Sequence, residues 1–320
     1  MRNQIAAVGA NVPQLARKVL KKMARNMLRW RMRAMGAEDD QRIRSERLLR
    51  GRAQYRLLRQ SNNVVVSCAK SGRTWLRLML SRTYQQVYHL PEEVLIEFDN
   101  FHYMNRAIPR IFFTHDDYMA DYTGNRESKA DYAGHKVLLL VRDPRDVAVS
   151  KFFQWKHRSK PGKKALKQYS VDPDIGLYDF IMGEQAVLAE VINFMNEWAR
   201  AMGVLDELLM IRYEDLKADP AEVLSKVVDF LKIPADPGVI EEAVAYASYD
   251  NMKRMETEQS FRLSGGRLAP GDPDNPDSYK VRRGKVGGYQ DYLDDHEIRA
   301  VDALVTERLD PVFGYTGEFG

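Results

Sequence analysis

Four short apolar runs restrict this chain more than any other feature. They are Val64–Ser67, Arg110–Thr114, Lys136–Val141 and Leu208–Arg212, and most are followed by a helix-period stretch. A strand that is apolar at every position, rather than at every second one, is covered on both faces. Alternation of such strands with helices predicts an α/β fold, a central parallel sheet flanked by helices. Open sheets of this kind bind ligands beyond the carboxyl ends of their strands. The residues just after each run are therefore the first place to look for function.

The rest of the chain narrows the setting. At 320 residues it can bury one large core. Cys68 is the single cysteine, so no intrachain disulfide forms, and a reducing, cytoplasmic compartment is the expectation. No apolar run reaches transmembrane length, and no secretory signal is visible. Residues 1–36 hold nine cations and no acid, which leaves the remainder at −5 against a total of +4. Bulk charge thus gives no support to a nucleic-acid partner. Within 13–36 Arg17, Lys18, Lys21, Lys22, Arg25 and Arg29 fall on one side of a predicted helix. Ala16, Val19, Leu20, Met23, Met27 and Trp30 fall on the other. Such a helix suits the surface of an anionic membrane, an apolar patch of its own domain or a partner, and an Arg-rich, acid-free segment also fits an organelle-targeting presequence. The expected organisation is a basic helical extension and linker over 1–60 and a catalytic body over 61–320.

After the first run the chain reads Cys68-Ala69-Lys70-Ser71-Gly72-Arg73-Thr74-Trp75 and enters a helix. The free N–H groups and dipole of a helix N-terminus favour an anion. Here they are joined by the cations Lys70 and Arg73, the hydroxyls of Ser71 and Thr74, and a glycine that lets the backbone approach. The order is not that of a Walker A loop, in which Gly precedes Lys and Ser/Thr. After the third run comes Arg142-Asp143-Pro144-Arg145-Asp146-Val147-Ala148-Val149-Ser150. Asp143 suits a helix cap and Pro144 the first helical position, so Arg142 stands at a strand's carboxyl end.

Together these segments resemble the sulfotransferases that use 3′-phosphoadenosine 5′-phosphosulfate (PAPS). The first is similar to their 5′-phosphosulfate loop, Pro-Lys-Ser-Gly-Thr-Thr-Trp, with Ala69 and Arg73 as departures. The second is similar to their 3′-phosphate motif nearly residue for residue. Three weaker matches follow in order. Tyr213-Glu214-Asp215 ends the fourth run. Ser248-Tyr249-Asp250-Asn251-Met252-Lys253 resembles Ser-Phe-x-x-Met-Lys. Arg282-Arg283-Gly284 resembles the Arg-Lys-Gly that closes over the nucleotide. The resemblance implies a P-loop-like sulfotransferase fold and a donor site made of Lys70, Ser71, Gly72, Arg73, Thr74, Trp75, Arg142, Ser150, Tyr213, Ser248, Tyr249, Arg282, Arg283 and Gly284.

It also implies a reaction. A sulfuryl group passes from PAPS to a hydroxyl or amine, leaving adenosine 3′,5′-bisphosphate (PAP). The protein positions the groups in line and stabilises charge. His115 follows the second run and stands where the family's Lys-Thr-His places its general base, although Phe113 replaces the lysine. Asp116 and Asp117 are candidates to orient the imidazole or to serve as base instead. Lys70 would stabilise the leaving oxygen. No metal is implied, because one Cys and six His show no ligand spacing. Two competing readings are a P-loop-type small-molecule kinase and a membrane-associated nucleotide-binding protein without catalysis. The acceptor, whether small molecule, saccharide or lipid, is not written in the motifs, because variable loops build acceptor pockets. Residues 156–175 and 262–281 read as long loops, of the kind that serve as lids or binding loops or stay disordered. The dimer motif of cytosolic relatives is absent after Gly288, which leaves the oligomeric state open.

Overall fold

A computed structural model of the chain describes residues 39–159, 172, 174–184, 186–261 and 268–316, together with Met23, Met27, Lys164 and Leu166. Four strands form one parallel sheet: β1 (Asn63–Ser67), β2 (Ile111–Thr114), β3 (Lys136–Val141) and β4 (Leu208–Arg212). These are the four apolar runs, to within a residue at each end. The strand order is β2-β1-β3-β4. From β1 the chain steps outward to β2, then returns to the other side of β1 for β3 and β4. This reversal opens a crevice beyond the carboxyl ends of β1 and β3, the usual ligand position in a doubly wound sheet.

The strands are continuously apolar because both faces are covered. Val64, Val66, Val137, Leu139 and Val141 enter one core, with Phe152, Trp155, Val191, Met195 and Trp198 of two overlying helices, α5 (Pro144–His157) and α7 (Val187–Met202). Val65, Leu138, Leu140 and Ile211 enter the opposite core, against α2 (Arg73–Tyr88), α9 (Pro220–Leu231) and α10 (Pro237–Tyr246). The remaining helices are α1 (Asp39–Leu58), α3 (Asn100–Met104), α4 (Met119–Thr123), α6 (Leu177–Met182), α8 (Tyr213–Ala218), α11 (Tyr249–Thr257) and α12 (Asp295–Arg308). Each fully buried Val or Leu contributes roughly 1.5–3 kcal/mol, so the central strands are the most strongly held part of the body.

Residues 37–60, expected as a charged helical linker, are helical from Asp39 to Leu58 as α1, but the helix does not stand apart from the body. It packs on the body: Arg47 Nε donates to Asp121 Oδ2 at 2.9 Å, Leu58 is fully buried, and a Cβ at Gly51 would lie 2.2 Å from the Tyr118 carbonyl oxygen. Its charged faces concealed this, because the contact is made through one glycine and through arginines with acid partners. The proposed basic helix over 13–36 lies outside the described residues apart from Met23 and Met27, which are helical and exposed. Among the described residues no helix is long and apolar enough to cross a membrane.

Two loop expectations are refined. Lys156 and His157 belong to α5, which ends at Arg158, while 160–163 and 167–171 lie outside the described residues. Residues 268–281 are irregular, with one 3₁₀ turn at Pro276–Ser278.

Candidate active site

The site is assembled where β1, β2 and β3 end. Register aligns Val66 with Thr114 on one side and with Leu139 on the other. The residues that follow, Lys70 to Arg73, His115 and Arg142, therefore emerge along one edge of the sheet. Lys70 and Gly72 both have positive φ, 79° and 92°, which folds the turn back so that α2 starts at Arg73. A Cβ at Gly72 would stand 2.6 Å from Tyr213 Cδ2. Only glycine satisfies both the dihedral and the ring. Gly72→Ala is expected to force Tyr213 away at a cost of about 1–3 kcal/mol of overpacking and of similar size for backbone strain. A thermal midpoint lowered by several degrees, by scanning calorimetry, would verify it.

Tyr213 is the platform beneath the crevice. It is 6% exposed, meets Trp75 edge-on at 5.9 Å between ring centres, and carries the Arg142 guanidinium 4.4 Å above its ring. Arg142 Nη2 donates to Asp146 Oδ2 at 3.0 Å and to the Lys285 carbonyl at 2.9 Å; Nη1 reaches the Lys70 carbonyl at 3.4 Å. Arg142 thus spans the first turn and the C-terminal loop. Asp143 caps α5 by accepting from the Arg145 N–H at 2.9 Å, and Pro144 opens the helix as its position predicts. Ser150 lies half-buried two turns along the same helix.

The C-terminal loop is held at both ends by buried carboxylates. Glu256 of α11, fully buried, accepts from the N–H groups of Lys280 and Val281 at 2.7 and 2.8 Å. Asp146 accepts from the N–H groups of Gly287 and Tyr289, both at 3.0 Å. Between them Tyr249, whose helix begins just after Ser248, donates its hydroxyl to the Arg282 carbonyl at 2.9 Å, and its ring covers Gly284. Arg282 turns inward over the Phe153 ring at 3.7 Å. Arg283 turns outward to Asp291 at 2.7 Å.

Arg158, at the end of α5, joins this cluster and is absent from the residues singled out by sequence. It pairs with Glu256 at 3.3 Å, donates to the Ala269 carbonyl at 3.0 Å and hydrogen-bonds the Ser278 carbonyl. Its effect is felt at Lys70. Burial, and then the positive charges of Arg158, Arg142 and Arg282, push the Lys70 ammonium down to about 7, with Glu256 pulling the other way. Among the described residues Ser71 Oγ and Arg142 Nε are buried without a hydrogen-bond partner. Four clustered cations, donors with spare capacity and a glycine cradle at a helix start fit a ligand bearing two separate anionic groups.

His115 faces the same edge. Its Nδ1 donates to the Ser67 carbonyl at 2.8 Å, and Arg73 Nη2 donates to its Nε2 at 2.5 Å. The expectation that Asp116 orients the imidazole is not met. Its carboxylate points away, accepting from Lys129 Nζ and Tyr132 Oη, both at 2.8 Å, in a buried cluster with Glu197. Burial raises the Asp116 carboxyl above its ordinary range. Where the resemblance predicts a lysine, Phe113 carries the Arg77 guanidinium 3.7 Å from its ring centre.

The fold and this edge define an α/β protein of P-loop-like topology with a cationic crevice at the carboxyl ends of its strands. The sulfotransferase domain model matches residues 60–312, and the chain belongs to that family. It is similar to cytosolic sulfotransferase 17 of Arabidopsis thaliana, 25% identical over 55% of this chain and 50% of that protein. It is also similar to cytosolic sulfotransferase 14 of the same plant, 22% identical over 77% and 74%. The match thus spans half the length of the first relative and about three quarters of the second. A solved structure of retinol dehydratase in a complex with retinol and PAP shares the fold at a TM-score of 0.52, with 18% identity over 78% of this chain and 81% of that one.

Proposed function

We propose that this chain transfers a sulfuryl group from PAPS to a hydroxyl or amine acceptor. The observation that carries the reading is the juxtaposition of Lys70 and the α2 N-terminus with Arg142 across the β1/β3 crevice, and of His115 beside them. The turn from Lys70 to Trp75 would take the 5′-phosphosulfate. Arg142, Ser150, Arg282 and Gly284 would take the 3′-phosphate, with Arg283 on the outer side of the loop. Trp75, Tyr213, Ser248 and Tyr249 would bound the nucleoside. His115 would accept the acceptor's proton at Nε2 while a new O–S (or N–S) bond forms. Lys70 would hold the charge that develops on the phosphate oxygen as its bond to sulfur breaks. PAP bound to a protein of the same fold supports the donor, and the names of the relatives support a cytosolic setting. Residues 61–320 would form the sulfotransferase body.

Titration calorimetry with PAP, ATP and AMP, with and without Mg²⁺, tests the donor site. PAP is expected to bind most tightly and without metal. Arg142→Ala should weaken PAP about 30-fold or more, by loss of about 2 kcal/mol or more of charge-assisted hydrogen bonding, while AMP changes little. Preference for ATP with Mg²⁺ would return the chain to the kinase reading.

A further inference from the structure

The bond between Arg73 and His115 has a definite proton arrangement. A guanidinium has only donors and keeps its charge in proteins, so Arg73 Nη2 is the donor and His115 Nε2 the acceptor. The imidazole hydrogen then lies on Nδ1, where the Ser67 carbonyl receives it. His115 is held as the neutral Nδ1–H tautomer, the form a general base needs. Yet the lone pair that must take the acceptor's proton is already engaged by Arg73.

We infer that Arg73 is a donor-operated cover on the base. This rests on the PAPS reading above. Arg73 is the first residue of α2, at the anion-binding end of the helix. An anionic oxygen placed there outcompetes a neutral imidazole for a guanidinium, because hydrogen bonds to charged acceptors are roughly twice as strong. The 5′-phosphate is left to the N–H groups of the turn and to Lys70, so that PAP alone does not compete for Arg73; the sulfuryl group beyond it puts its anionic oxygens beside Arg73, draws Arg73 from Nε2 and exposes the lone pair to the acceptor. Arg77, one turn along, cannot take this role: its Nη1 donates to the Ile96 carbonyl at 2.6 Å and its face lies on Phe113. In the transfer step the acceptor's proton moves to His115 Nε2, the acceptor–sulfur bond forms, and the sulfur–oxygen bond to PAP breaks. Arg73 stays with the sulfuryl oxygens as it travels. It returns to His115 only after the imidazole has given its proton to water. The base is thus available only when a loaded donor is present.

The test is nitrogen NMR of protein labelled with ¹⁵N-histidine, with the His115 signals identified by their loss in His115→Gln. Without nucleotide, Nε2 should resonate as an unprotonated, hydrogen-bonded nitrogen. PAPS added without acceptor should move it to higher frequency as that bond is lost. PAP, which lacks the sulfuryl group, should leave it in place. In Arg73→Thr the signal should start at the shifted position and ignore PAPS. Release of PAP from PAPS should fall about 100-fold in that variant, the scale of one lost transition-state donor, with donor KM changed far less. Arg73→Lys, which keeps a cation and a donor, should recover part of both effects. If both nucleotides bind and shift Nε2 equally, or if neither shifts it, the cover does not exist. If neither nucleotide binds, the donor reading itself falls, and the inference with it.

Discussion

Substituting His115 by alanine is expected to slow sulfuryl transfer by about 10²–10⁴-fold, the usual contribution of a positioned general base, while PAP binds with nearly unchanged affinity. The separation follows from geometry. His115 touches Ser67 and Arg73, at the β2 side of the crevice. The contacts of Arg142 run to Asp146, Lys285 and Lys70. Removing the imidazole therefore leaves the cradle for a nucleotide intact. Single-turnover transfer and calorimetry on the same preparation decide the matter. Full activity in His115→Ala would remove His115 as the base. The buried Asp116 is a poor replacement, since its carboxylate is engaged by Lys129 and Tyr132.

The second large effect concerns pH. With its ammonium pushed down to about 7, Lys70 in the free protein is largely neutral above pH 8. A bound phosphosulfate places negative charge beside it and restores the proton. The complex therefore holds more protons than the free protein, and affinity must fall as pH rises above about 7. By linkage the loss approaches about tenfold per pH unit until the pKa of the bound form is reached. The 3′-phosphate, with a second pKa near 6, is already fully ionised in this range and adds no slope. PAPS titrated at pH 7.5, 8.25 and 9 should show this decline. Buffers of different ionisation enthalpy should reveal uptake of close to one proton at pH 8. Lys70→Arg should flatten the profile, because a guanidinium keeps its charge throughout. Lys70→Ala should flatten it too, and should slow transfer by about 10²–10³-fold through loss of charge stabilisation at the leaving oxygen. A wild-type affinity independent of pH would mean that Lys70 does not meet the anion.

The sheet and the two principal turns were legible in the sequence because each is a local signal. Burial on both faces leaves an unbroken apolar run, and an anion-binding turn must follow it within a few residues. What escaped depends on partners far apart in the chain. Arg158 resembles one more cation in a basic stretch until Glu256, 98 residues later, is found beside it. Asp146 stands four residues after Arg142, a spacing that commonly brings an ion pair together. That pair exists, but the same carboxylate also fastens the backbone at 287–289. The orientation of His115 by a backbone carbonyl has no side-chain signature at all. Two acidic neighbours in the sequence pointed to Asp116 instead, whose φ of 54° turns it away.

The fastening of residues 280–289 has a further consequence. The segment that supplies Arg282 and Gly284 is bonded through Glu256, Tyr249, Arg142 and Asp146, each contact a single point on an otherwise irregular backbone. These contacts, all within the chain itself, hold it, so a nucleotide bound as proposed would meet a surface already shaped and spend little affinity on shaping it. The same construction makes the segment separable. A single proteolytic cut between the two carboxylates would leave all four strands on one fragment, while the other, which carries Tyr289, Val301, Val305 and Phe313 of the core, would stay attached by non-covalent contacts alone, and the pair is expected to lose its grip on one end of the ligand.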